Sequence, residues 1–131
     1  MSEPGAIPVY RGGRVVAYAA VDPSHAPLLT RYHWHLHAKG YAYRTTRRRG
    51  GLRLCFYLHR EAYRLANPDA AVPPSVDHLN GCKLDCRACN LEGVALDENT
   101  RRARRPEDRR YHAGAPAFVG RVLTDDDLPP F

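Results

Sequence analysis

The sequence has no apolar run long enough to cross a bilayer, so a membrane-spanning helix is not expected. Residues 1–5 read Met-Ser-Glu-Pro-Gly, without the basic and apolar regions of a secretory signal, so a secretory leader is not expected. The chain therefore reads as intracellular, in a cytoplasmic setting. There is no internal repeat. Lysine is nearly absent, since 18 of the 20 basic residues are arginine. The paired C-x2-C…C-x2-C spacing of common zinc modules is absent too, although there are four cysteines. An intracellular chain keeps those thiols reduced, which argues against a disulfide framework.

What remains is a basic chain of 131 residues, enough for one compact domain. At 44% hydrophobic it can bury a modest core, and eleven prolines with ten glycines favour a loop-rich α+β or β-rich fold over a helical bundle. The net charge is +6 and the pI is near 9.4. Arginine forks hold phosphate in bidentate fashion, so nucleic acid is the expected polyanion.

Alternation and turn residues predict strands at 7–10, 14–21, 33–38, 41–43 and 52–57. Pro8 predicts an edge position for the first of them. Ser24 is expected to cap a helix through Arg31, with Ala26, Leu28 and Leu29 buried. In the stretch 33–38, Trp34, Leu36 and Ala38 share the core face, and His33, His35 and His37 share a solvated one. Arg47, Arg48 and Arg49 form a basic hairpin tip. Residues 58–66 read as a helix ended by Asn67-Pro68. Within it His59 either reaches the site or the DNA backbone, or packs beside the core.

The chemistry gathers after residue 75. Val76 to Leu79 reads as a strand, Asn80-Gly81 as a turn, and Leu91 to Val94 as the antiparallel return that sets Asn90 across from His78. Asp97 is a good N-cap for a helix through the arginines, and Asn99 falls in its first turn. Such a strand–loop–strand–helix unit converges Asp77, His78, Asn90 and Asn99. Histidine accepts a proton near neutral pH. An amide oxygen on Asn90 can fix its tautomer. Asp77 and Asn99 offer hard oxygen ligands suited to Mg²⁺ or Mn²⁺. Asp77 and His78, being neighbours in a strand, serve together only if the chain bends there.

At these residues the sequence resembles the HNH endonucleases, in the phage- and intron-associated homing branch whose last motif residue is Asn. The pattern stands as Asp77-His78-Leu79-Asn80-Gly81, Lys83-Leu84-Asp85, Asn90-Leu91 and Asn99, with intervals of twelve and nine between His78, Asn90 and Asn99. The likeness extends upstream through Ile7-Pro8, Val21-Asp22, the Trp34 strand, Gly40-Tyr41-Ala42 and Leu58-His59-Arg60. It implies His78 as general base, Asn90 as its orienting partner, and Asp77 and Asn99 as metal ligands. It also implies metal-dependent hydrolysis of double-stranded DNA in a phage or mobile-element setting.

The expected fold is α+β: a β-rich part over 1–70, a ββα-metal motif over 71–105, and a flexible basic-to-acidic tail over 106–131. Homing members often carry a downstream DNA-reading module, for which that tail is too short and too acidic. Loose specificity, a targeting protein partner or a decayed element is expected instead. Arg47, Arg48, Arg49, Arg101, Arg102, Arg104 and Arg105 are expected to grip the DNA backbone.

Cys82, Cys86 and Cys89 form C-x3-C-x2-C in the motif loop. Structural Zn²⁺ there would need a fourth ligand, Cys55 or a nearby histidine, and small reduced side chains packing the loop are the favoured reading. Two rivals stand beside the nuclease: a non-catalytic nucleic-acid-binding protein that keeps the HNH scaffold, and a zinc-stabilised protein–protein module.

Overall fold

The computed structural model describes residues 4–47, 50–71, 73–96 and 115–119, with only the backbone at Arg47. Asn99, Arg101, Arg102, Arg104, Arg105, Arg48, Arg49 and the expected cap at Asp97 lie outside the described residues. Mixed α+β architecture is as expected, and the described chain is strand-rich with two helices. Among the described residues no helix is long and apolar enough to cross a membrane.

Five strands form one sheet: β1 (Gly5–Arg11), β2 (Arg14–Val21), β3 (Trp34–Leu36), β4 (Ala42–Arg47) and β5 (Arg53–Tyr57), in the order β2-β1-β3-β4-β5. The β1–β2 hairpin turns on Gly12 and Gly13, both at positive φ, as a tight turn matching strand twist requires. The β1–β3 pair is parallel, and the other pairs are antiparallel. β1 is thus internal, not the edge that Pro8 predicted. The proline is tolerated because three-residue β3 engages only Val9 and Tyr10.

One face of this sheet makes the core. Ile7, Val9, Ala17, Ala19, Trp34 and Ala42 are buried there with Leu58 and Ala62 of helix α2 (Leu58–Ala66). Trp34 donates its indole N–H to the Leu29 carbonyl at 2.7 Å, which anchors helix α1 (Ala26–Leu29). That helix is one turn, shorter than expected. His25 rather than Ser24 precedes it, no side chain caps it, and Leu28 is exposed while Leu29 is buried.

A second, two-stranded ribbon pairs β6 (Ser75–His78) with β7 (Leu91–Val94), and α2 packs against both. The ribbon seats closely on the helix. A Cβ at Gly93 would lie 2.9 Å from Pro73 carbons and from the Tyr63 hydroxyl. The outer edge of β2 is covered at two points. Ala20 bridges to Asp85, and Tyr18 bridges to Val119, whose side chain is buried. Residues 115–119 of the expected flexible tail therefore pack on the core, with Ala115 and Phe118 against it.

Candidate active site

β6 ends on His78, and the chain turns at Asn80-Gly81, where Gly81 has φ 80° and donates its N–H to the His78 carbonyl at 2.8 Å. The loop that follows returns through a single 3₁₀ turn, Ala88–Asn90, into β7. His78 pairs with Leu91 in register, one residue beyond the expected Asn90. Asn90 instead meets Leu79, whose N–H donates to its carbonyl at 2.8 Å.

The Asn90 side chain is fully buried and works on the loop. Its Oδ1 accepts from the Asn80 N–H at 2.9 Å, and its Nδ2 donates to Asn80 Oδ1 at 3.0 Å and to the Asp85 carbonyl at 2.9 Å. The amide oxygen that spacing assigned to the imidazole is therefore engaged by Asn80. Spacing brings Asn90 near His78, but it does not say which way the amide turns.

Asp85 is the second tie. Fully buried, its carboxylate accepts from Arg87 Nε at 2.7 Å, from an Arg87 terminal nitrogen at 2.6 Å and from Asn80 Nδ2 at 2.8 Å. A buried carboxylate needs such compensation, and the bidentate arginine fork supplies it. The sequence signal was Asp85-x-Arg87 beside the motif turn. The backbone finishes the fastening: Cys86 N–H donates to the Ala20 carbonyl at 2.7 Å, Ala20 N–H to the Leu84 carbonyl at 2.8 Å, and Ala88 N–H to Asp22 Oδ1 at 3.2 Å.

His78 and Asp77 are both 5% exposed and adjacent at the strand end, in regular register opposite Leu91 and Glu92, and the chain turns only after His78, at Leu79-Asn80. The His78 ring packs 4.8 Å from His59 and 5.9 Å from Tyr41, centroid to centroid, and its Nε2 lies 4.0 Å from the Cys86 sulfur. Burial, followed by the charge of Asp85 and by Cys82, raises the Cys86 thiol well above its usual range, so it stays protonated. His59 occupies the first turn of α2, and burial together with the Arg60 charge lowers its pKa to about 4. Its Nδ1 has no hydrogen-bond partner. Its place in the sequence leaves His59 open between site and core. The structure sets it against His78 at the rim of the core, stacked on Tyr41 at 5.1 Å. Nothing in spacing links Tyr41 or His59 to a motif so far downstream.

Of the cysteines, Cys86 is buried against His78, Cys82 is half-buried, and Cys55 and Cys89 are exposed. Among the described residues no three His, Cys, Asp or Glu side chains gather as a metal-holding group.

Rings continue away from His78. Tyr41 and His59 both meet Tyr57, and Tyr57 meets His37, which packs edge-on to Tyr43 at 5.4 Å. Beyond these, His35 contacts Tyr43, and His33 lies stacked 3.8 Å from Tyr10. The histidines expected on a solvated face are thus one side of a packed ring system, with His33 exposed and His35 and His37 half-buried.

Searches against protein-family models, curated proteins and solved structures match nothing to this chain.

Proposed function

We propose that the protein is a metal-dependent HNH-type endonuclease that hydrolyses DNA phosphodiester bonds. The observation that carries this reading is His78 beside Asp77 at the end of β6, at the mouth of a loop held rigid by Asn90 and Asp85. Rigid support of a proton-accepting side chain is what general-base chemistry needs. Completion of a ββα-metal motif by a helix carrying Asn99 belongs to the same proposal.

His78 takes a proton from water as its oxygen attacks phosphorus. The P–O3′ bond breaks and the released 3′ oxygen takes a proton from solvent, leaving a 5′ phosphate and a 3′ hydroxyl. His78 Nε2 lies 4.0 Å from the Cys86 sulfur, and the ring acts as base through whichever nitrogen carries no proton. Asn90 contributes by fixing the loop rather than the ring. Asp77, a buried carboxylate adjoining the base, fits a hard divalent cation, and Asp77 with Asn99 would hold Mg²⁺ or Mn²⁺. Such an ion, when bound, offsets the negative charge developing on the phosphate and the leaving oxygen. Arg47, Arg48, Arg49, Arg101, Arg102, Arg104 and Arg105 serve as backbone grips. A phage or mobile-element setting inside a cell, with a targeting partner, suits a chain of this kind.

The test is cleavage of supercoiled plasmid with Mg²⁺ or Mn²⁺, with EDTA, and with His78→Ala. Metal-dependent relaxation is expected, falling at least a hundredfold in the variant. Equal cutting by wild type and variant would remove His78 from the role. Plasmid retardation without cutting would favour the non-catalytic binding protein.

A further inference from the structure

The sheet register lines up four rings. Tyr10 pairs with His35, His35 with Tyr43, and Tyr43 with Tyr57, so one cross-strand row of aromatic and imidazole rings spans β1, β3, β4 and β5. The adjoining row, Val9 beside Trp34, is buried in the core, so the ring row belongs to the sheet's other face. All four rings are half-buried, leaving part of each surface to solvent. At its β5 end the row passes through Tyr57 and Tyr41 to His78.

Cations border the same strip. Lys83 Nζ sits 4.8 Å over the Tyr41 ring and donates to the Lys39 carbonyl at 2.7 Å. Lys83, His37 and Arg11 line one cavity of about 390 Å³. A row of rings, tilted to one another by 48° at His35–Tyr43 and bordered by Lys83 and Arg11, complements a polymer with planar, apolar bases on one side and phosphates on the other.

We propose that this row is a stacking track for an unpaired DNA strand, which carries that strand across the sheet to His78. The track deepens the nuclease reading by naming the form of its substrate, and rests on it to that extent. Bases stack on Tyr10, His35, Tyr43 and Tyr57, and the Arg11–Lys83 cavity receives a phosphate. A base paired within a duplex keeps its faces stacked on its neighbours and cannot use such a row.

The experiment measures binding of a fluorescein-labelled twelve-nucleotide oligothymidylate by anisotropy, in EDTA and at fixed salt, beside a blunt duplex of equal length. Wild type is expected to bind the single strand more tightly than the duplex, with quenching of tyrosine fluorescence. Tyr43→Ala should weaken single-strand binding about tenfold, whereas Tyr43→Phe should retain it. His33→Ala with His35→Ala, the first at an exposed position, should weaken it similarly, with circular dichroism confirming the fold. Unchanged affinity in folded ring variants, or duplex preference in wild type, would overturn the track. Parallel plasmid assays separate the two readings. Ring-dependent binding without any cutting would sink the nuclease alone, and metal-dependent cutting with ring-independent binding would sink the track alone.

Discussion

His59 is a histidine that the fold keeps neutral. Its pKa is about 4 when folded and near the usual 6.5 when unfolded. Below pH 6.5 the unfolded chain takes up a proton that the folded chain refuses until about pH 4. Its contribution to stability is therefore complete above pH 6.5 and drains away as pH falls toward 4, by up to about 3 kcal/mol. His59→Phe keeps a ring against Tyr41 and His78 and removes the proton site. Urea unfolding at pH 7.5 and 4.5 should show a smaller acid loss in this variant than in wild type, and equal losses would contradict the assignment. At this scale the sequence was informative about which residues the fold brings into one hairpin and less so about what they touch. Asp77, His78 and Asn90 were located by spacing along one short hairpin. Asn90's hydrogen bonds were not, because an amide can turn either way and only the packed loop decides. Tyr41 and His59 come from distant segments whose meeting with His78 is set by tertiary packing.

The ribbon of β6 and β7 depends on its seat against α2. Gly93 leaves no room there for a methyl group, with Pro73 on one side and Tyr63 on the other. Gly93→Ala should destabilise the protein by about 1–3 kcal/mol, read as a lower urea midpoint. The same variant should slow any plasmid cutting, because the ribbon carries His78. A midpoint like wild type would mean that the ribbon shifts freely on the helix. The elements themselves were largely legible, because alternation and turn glycines mark β1 to β5, and α2 begins and ends where its apolar spacing and Asn67 put it. The failures have separate causes. α1 is cut to one turn, with Pro27 in its first turn and the Thr30 hydroxyl bonding back to the Ala26 carbonyl at 2.9 Å. β1 lies inside the sheet because a short parallel partner pairs with it beyond Pro8, a topology that no local pattern encodes. The tail's apolar residues were too few for a core of their own, yet Val119 serves the existing one.

Across the whole molecule there is one His78 and one loop to hold it. If the nuclease proposal stands, a chain acting alone breaks one strand per encounter. Relaxed circles should accumulate before linear DNA in a plasmid time course, and linear product appearing first would require two copies acting together. On the same proposal, the net charge of +6 would act at this scale by drawing DNA toward the protein.

The loop that follows β6 is also the strip that closes the edge of β2, through Ala20 on one side and Leu84 and Cys86 on the other. During synthesis, the first two strands must wait for more than sixty further residues to emerge before that edge is satisfied. Until then it is an open template for pairing with a neighbouring nascent chain. The hairpin with His78 is, for the same reason, a poor candidate for transplantation. Grafted alone onto another scaffold, it would leave behind the backbone partners at Ala20 and Asp22 that hold its shape, so evolution would have had to move the two segments as a unit.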